Sequence, residues 1–361
     1  MAKSKRAVRK QAKRPSKKSR PIRPGSAGPR DRPLARATSA PGTDAAPPIS
    51  QRPFSAKPLG RVAIIGLGHV GVPLAAVLAR THSVVGVDLS ERVIEAVSKG
   101  VSPLKGAEPG LAEMLAEDTG RGRLEASRDY ASCSDAAVIL VCVDTPLGLD
   151  RRPDIKNLAL AADGIGKNLA DGTLVVLEST VAPGTSRDLF VPRIEAASRK
   201  KCGRDFHFAH APERVMPGRL LRNLESYERV IGGWDEESTR RALEFYRTFL
   251  EVKLHPTDAL TAEIAKSGEN AYRDVQIGFA NEMALVCEEL GADVYEVRRL
   301  INTCPFRDMH LPGAGVGGHC LPKDGWLLLA NTSRRDGIIP AARTVNDSMP
   351  AALASRVEKA L

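Results

Sequence analysis

A cysteine stands at position 320 behind four glycines, in the run Gly313-Ala-Gly315-Val-Gly317-Gly318-His319-Cys320-Leu-Pro322-Lys323-Asp324. Bare backbone around a thiol leaves room for a substrate to approach. Pro322 suits the first turn of a helix, which would set Cys320 near the positive end of the helix dipole. Such a setting favours the thiolate, the form that attacks a carbonyl carbon. Asp324, four residues on, would return to the same face one turn later. The plainer alternative is an inert, buried cysteine.

A second group falls on one helical face: Glu263, Lys266, Asn270 and Arg273 stand at i, i+3, i+7 and i+10. A lysine and an asparagine one turn apart offer a cation and an amide donor at fixed separation, which is what a developing oxyanion needs. Spacing alone favours the plainer reading, a solvated face.

The third signal is Gly66-Leu-Gly68-His-Val-Gly71, directly after the apolar run 62–65 and before a helical stretch. Gly66 permits the tight turn, Gly68 lets the backbone approach a pyrophosphate, and Gly71 lets helix and strand pack closely. Asp88 ends the next apolar run, 22 residues after Gly66. A carboxylate there would accept hydrogen bonds from an adenosine ribose and repel a 2′-phosphate, so NAD is expected rather than NADP.

These groups need a scaffold. Short aliphatic runs at 62–65, 83–87, 137–141, 174–177, 206–209 and 229–231 alternate with helical stretches, predicting an α/β, Rossmann-like, doubly wound parallel sheet. Beyond His255 the pattern turns helical, through 262–290 with Gly291 as C-cap and a further helix at 294–301. The expected organisation is a basic, Pro-rich disordered tail at 1–58, a cofactor-binding part at 59–257 and an all-helical part at 258–361. The apolar stretch around Phe279 to Leu290 suits pairing of two copies.

Composition excludes other classes. The 361 residues carry 53 Lys and Arg against 43 Asp and Glu, a formal charge of +10. Residues 1–60 alone hold 16 of those cations against Asp31 and Asp44, so the remainder sums to −4 and gives no electrostatic reason to bind nucleic acid. Six cysteines without a C-x-x-C pair argue against a disulfide framework and a zinc site, and point to a reducing cytoplasm. The stretch 62–79 is almost as long and apolar as a membrane span, but its three glycines and Pro73 read as strand, turn and helix.

Taken together, these motifs resemble the nucleotide-sugar 6-dehydrogenases, the UDP-glucose/GDP-mannose dehydrogenase family. The resemblance runs from about Gly60 to Leu361 through Gly66-Leu-Gly-His-Val-Gly71, Val143-Asp-Thr145-Pro146, Glu178-Ser-Thr180-Val-Ala-Pro-Gly184, Ala211-Pro-Glu213-Arg-Val-Met-Pro217-Gly218, the Lys266 helix and Gly317-Gly-His-Cys320. Within the family it is most similar to the UDP-N-acetyl-D-mannosamine type; Pro217 stands where the glucose type carries a second glutamate.

The resemblance implies a four-electron oxidation of a UDP-sugar C6 alcohol to the carboxylate with two NAD+ in succession. It implies that Cys320 traps the aldehyde as a thiohemiacetal that becomes a thioester. Lys266 and Asn270 would stabilise the oxyanions, and Thr180, Glu213 and Asp324 would organise water and move protons. His69, Val70, Arg92, Thr145 and Ser179 join the three glycines and Asp88 as expected cofactor contacts. Arg273, Arg214, Gly317 and Arg307 are expected on the substrate side, Arg307 reaching the site of a neighbouring subunit in a homodimer.

Two departures accompany the resemblance. Family members continue into a UDP-binding domain past the point where this sequence stops, so the expectation is a chain lacking that domain, or one completed by a separate polypeptide. Gly325 stands where proline commonly follows the aspartate. The alternatives are a catalytically silent NAD-binding and dimerisation module, a UDP-glucose or UDP-N-acetylglucosamine 6-dehydrogenase, and a one-step hydroxyacid dehydrogenase, which would need no thiol.

Overall fold

The computed structural model describes residues 59–106, 108–214 and 219–361. The tail expected at 1–58, and Pro217, lie outside the described residues.

Eight strands form one sheet: β1 (Arg61–Ile65), β2 (Val84–Val87), β3 (Leu124–Ser127), β4 (Ala136–Val141), β5 (Leu174–Leu177), β6 (His207–His210), β7 (Arg229–Gly233) and β8 (Leu254–Asp258). Their order is β3-β2-β1-β4-β5-β6-β7-β8. All neighbours run parallel except β6 and β7, which pair antiparallel through Ala209 with Gly233 and His210 with Gly232. The winding reverses between β1 and β4, so the crevice beyond their carboxyl ends is where an open sheet of this kind accepts a ligand.

The flanking helices are α1 (Gly71–Ala79), α2 (Glu91–Ser98), α3 (Leu111–Gly120), α4 (Lys156–Asn168), α5 (Val191–Ser198), α6 (Leu220–Ser226) and α7 (Glu236–Arg247). Buried on both faces, the central strands read as unbroken aliphatic runs. On one face Val62, Ile64, Val138 and Leu140 pack with Leu74 and Leu78 of α1 and Phe245 and Tyr246 of α7. On the other, Ile65, Ile139, Val141 and Leu177 meet Leu158 and Ile165 of α4, Ile194 of α5 and Phe208. Each such side chain contributes about 1.5–3 kcal/mol. Residues 62–79 are thus strand, turn and a nine-residue helix, and no helix among the described residues is long and apolar enough to cross a membrane.

The helical part follows as α8 (Ala259–Leu290), α9 (Val294–Ile301), α10 (Leu321–Leu329) and α11 (Ile338–Ala360). Asp258 caps α8 by accepting the Thr261 amide at 2.9 Å, and Gly291, with φ of +71°, ends it. A buried polar seam joins α8 to α11: Arg343 Nη1 donates to Asp274 Oδ1 at 2.7 Å, and Asn281 Nδ2 to Asn346 Oδ1 at 2.8 Å.

The sequence reading did not find β3 or β8. Both are edge strands, β8 carrying Pro256 and β3 burying only Leu124, so neither shows an aliphatic run.

Candidate active site

The glycine turn meets three separate demands. Gly66 has φ of +92°, and a Cβ there would lie 2.7 Å from the Cys142 carbonyl oxygen. A Cβ on Gly71 would lie 1.9 Å from the Gly66 carbonyl oxygen, so helix and turn touch through that glycine. A Cβ on Gly68 would meet no protein atom within 4 Å. The middle glycine therefore answers to no packing partner and leaves a bare cradle at the α1 N-terminus, the shape and polarity a pyrophosphate requires. His69 is exposed and Val70 half-buried beside it.

Asp88 closes the far side. Its Oδ2 accepts the Leu67 amide and its Oδ1 the Ser90 amide, both at 2.8 Å. Each oxygen keeps acceptor capacity for a ribose hydroxyl, so these residues fit a dinucleotide. Arg92 is exposed on α2 and reaches the Pro103 carbonyl at 3.4 Å.

Thr145 and Ser179 spend their hydroxyls on the chain itself. Thr145 Oγ1 donates to the Thr180 carbonyl at 2.6 Å and Ser179 Oγ to the Val143 carbonyl at 2.7 Å. They tie the turn after β4 to the turn after β5, while Thr180 is half-buried. Lys323, absent from the sequence-derived site, reaches this floor: its Nζ donates to the Thr145 carbonyl at 3.1 Å and sits 3.8 Å from Asp324 Oδ1. Its place one residue before Asp324 was the available signal.

Cys320 is the N-cap of α10, exposed, with Pro322 in the first turn and the Asp324 amide donating to its carbonyl at 2.9 Å. Asp324 itself is 1% exposed. Asn270 Nδ2 donates to its Oδ2 at 2.6 Å. Burial pushes the Asp324 carboxyl above the ordinary range, with Lys323, Asn270 and Lys266 pulling it back. Lys266 lines a cleft with Pro212, Arg214, Val230 and Glu269. The glycine loop is anchored from the α8–α11 seam: the Gly313 amide donates to Asn281 Oδ1 at 2.8 Å and Arg343 Nη2 to the Val316 carbonyl at 3.4 Å. Gly317 and Gly318 face open space.

The plain solvated face is not what α8 presents. Glu263 is buried and accepts the Gly184 amide at 2.6 Å and the Ser186 amide at 2.8 Å, docking α8 onto the segment that follows β5. Burial raises its carboxyl as well. Arg273, three residues past Asn270, is exposed.

Arg214 forks onto Glu269, with contacts of 2.6 and 3.1 Å, and onto the Glu228 carbonyl at 2.8 Å. Arg307 is exposed beside Phe306, which is 90% exposed with φ of +64°. Among the described residues, no hydrogen bond or ion pair joins Arg273 or Arg307 to the Cys320, Asp324 and Asn270 group. Glu213 is buried against Arg229 at 2.6 Å, and the sequence reading missed the partners around it: Arg229 at the start of β7, Glu178 and Tyr246. Only Glu178 lay inside a recognised block. The described residues contain no cluster of three or more His, Cys, Asp or Glu able to hold a metal.

Residues 60–250 match the NAD binding domain of the UDP-glucose/GDP-mannose dehydrogenase family, and residues 260–348 match that family's central domain. The UDP-N-acetyl-D-mannosamine dehydrogenase of Pyrococcus horikoshii is 40% identical over 83% of this chain and 71% of its own length. A solved structure of that dehydrogenase from the same organism superposes with a TM-score of 0.79. The crystal structure of an NDP-N-acetyl-D-galactosaminuronic acid dehydrogenase from Methanosarcina mazei Go1 is 38% identical, with a TM-score of 0.74 over 84% of this chain and 69% of that one.

Proposed function

The chain belongs to the UDP-glucose/GDP-mannose dehydrogenase family, and on that premise we propose that it oxidises the C6 alcohol of UDP-N-acetyl-D-mannosamine to the uronate in two NAD-dependent steps. The observation that carries this reading is the Asn270–Asp324 bond. It brings the polar face of α8 to the α10 turn that displays Cys320, while Lys323 ties the same turn to the crevice floor.

The Gly66–Gly71 turn, the α1 N-terminus and Asp88 would hold the dinucleotide, with His69, Val70, Arg92, Thr145 and Ser179 around it. When bound, NAD+ supplies the hydride acceptor for both oxidations, alcohol to aldehyde and thiohemiacetal to thioester. Lys266 and Asn270 stabilise the negative oxygen at each stage. The Cys320 thiolate adds to the aldehyde carbon, a C–S bond forms, and the carbonyl electron pair moves to oxygen. Holding the carbon on sulfur keeps the aldehyde from leaving while cofactor is exchanged. At the thioester stage water adds, the C–S bond breaks, and the thiol and uronate are released. Asp324, with its raised carboxyl, and Glu213 take protons in that step, and Thr180 orders the water. Gly317, Arg214 and Arg273 lie on the substrate side, Arg307 on the side of a neighbouring subunit.

We assign 59–257 to cofactor binding and 258–361 to the helical part, with Asp258 both closing β8 and capping α8. A homodimer through α8 accounts for Tyr272, Phe279 and Val286, exposed apolar residues repeating every seven positions. Six free cysteines suit a cytoplasmic protein.

Incubation with NAD+ and UDP-N-acetylmannosamine tests the function: two NADH are expected per uronate. One NADH per sugar with free aldehyde would overturn the thiol mechanism. Faster turnover of UDP-glucose, UDP-N-acetylglucosamine or UDP-N-acetylgalactosamine would replace the sugar alone.

A further inference from the structure

The end of β6 carries a buried side chain that the chemistry above leaves unused. His210 is 0% exposed, and among the described residues neither of its ring nitrogens has a hydrogen-bond partner. An unsatisfied buried polar atom costs about 1–3 kcal/mol, so packing alone does not account for an imidazole there. Its place in the sheet shows what it faces. His210 pairs with Leu177 of β5 and with Gly232 of β7. Paired residues share a face, and Leu177 and Phe208, two residues before His210, both pack in the core against α4 and α5.

The start of α8 covers the same face. A Cβ on Gly232 would lie 2.4 Å from the Asp258 carbonyl oxygen and 2.7 Å from the Ala262 Cβ, so the bare glycine lets α8 rest on the strand pair. Lys266 stands one turn beyond Ala262 on the same side of the helix. Its cleft is walled by Pro212, two residues past His210, and by Val230, two before Gly232. His210 therefore forms the inner end of the Lys266 cleft. Burial, and then the Lys266 charge, pull the imidazole down to about 3, while the Leu177 carbonyl works against them by favouring a ring N–H. Among the described residues no hydrogen bond or ion pair holds the Lys266 ammonium either.

We propose that His210 is a positioning residue for Lys266: a neutral imidazole at the inner end of the cleft turns its lone pair to the ammonium and holds it facing the oxyanion site. This rests on the reading of Lys266 as the cation that stabilises the oxyanions. A carboxylate in this place would also orient the ammonium, but would spend its charge in an ion pair. An uncharged acceptor orients it and leaves the positive charge for the substrate oxygen. His210 itself neither gives nor takes a proton. The pair is not hydrogen-bonded in the free protein, and it closes when substrate binds, as hydrogen bonds in catalytic sites commonly do.

Proton–nitrogen correlation spectra of the full-length protein, labelled at histidine, read the ring without requiring turnover; loss of the signal in His210→Phe assigns it. The ring should stay neutral, as one tautomer, from about pH 5 to 8, where an ordinary histidine titrates. Its unprotonated nitrogen should shift in Lys266→Met. A ring that titrates near the ordinary value of about 6.5, or one indifferent to Lys266→Met, overturns the assignment. Kinetics test the consequence. His210→Phe keeps a ring and removes both unpaired nitrogens, so Tm should hold or rise, while kcat falls about ten-fold with the KM for the UDP-sugar unchanged. His210→Gln restores an uncharged acceptor and should recover most of that loss. Equal kcat in the two variants, or an unchanged kcat in His210→Phe, overturns the positioning role. A protein that makes no NADH from any UDP-sugar, yet whose His210 nitrogen shifts in Lys266→Met, would sink the proposed function and leave His210 at the ammonium.

Discussion

The side-chain amide of Asn270 on α8 lies 2.6 Å from the carboxylate of Asp324 on α10, and that hydrogen bond spans 54 residues of sequence. Its acceptor is buried, where a hydrogen bond is electrostatically stronger than in water. It also sets the distance between the helix that carries Lys266 and the turn that carries Cys320, so any shift of α10 along α8 must first break it.

Asp324→Asn separates chemistry from stability. The wild-type carboxyl is raised by burial, so the folded state holds its proton more tightly than the unfolded chain. That contribution is fully present below the ordinary carboxylate value of about 3.9 and is lost as pH rises through the raised value. Asparagine does not ionise. Asp324→Asn should therefore melt higher than wild type at neutral pH, with the gap closing in acid, while uronate formation falls by about 100-fold or more. Thermal melts across the acid-to-neutral range check the first part and NADH release the second.

The glycine turn yields a paired test. Gly68→Ala adds a methyl group that meets no protein atom, so the protein should fold with an unchanged Tm and bind NAD about ten-fold or more weakly. Gly71→Ala drives a methyl group to 1.9 Å from the Gly66 carbonyl oxygen and should lower Tm by several degrees or prevent folding. Isothermal calorimetry and thermal melts separate the two. Equal loss of stability in both would mean that Gly68 is also a packing residue.

Glu263→Ala leaves the Gly184 and Ser186 amides without their acceptor in a buried seam. At about 1–3 kcal/mol for each unsatisfied group, denaturant unfolding should show a loss on the order of 2–5 kcal/mol. A loss below 1 kcal/mol, about what one ordinary exposed contact contributes, would show that water replaces the carboxylate there.

Local chemistry was readable from the sequence where it depends on neighbours along the chain. Gly66, Gly68, Gly71 and Asp88 declare a dinucleotide turn because strand, turn, helix and acid follow one another within 28 residues, Arg61 to Asp88. Cys320, Pro322 and Asp324 likewise share a single helical turn. What depends on distant segments was not readable. Glu263 looked like one member of a wet stripe, and only the packing of α8 on the 184–186 backbone shows its carboxylate to be buried. Glu178 follows β5, Arg229 opens β7 and Tyr246 lies on α7, and no spacing rule links them. Family resemblance pointed to Glu213 but not to the guanidinium it shares.

The central claim is a covalent bond between Cys320 and the oxidised carbon, and rapid acid quench followed by peptide mass spectrometry tests it most directly. With NAD+ and the UDP-sugar, the Cys320 peptide should gain the mass of the acyl sugar nucleotide during turnover, and Cys320→Ser should release no uronate at the wild-type rate. An unmodified Cys320 peptide throughout turnover, with uronate formed at full rate by Cys320→Ser, would contradict it.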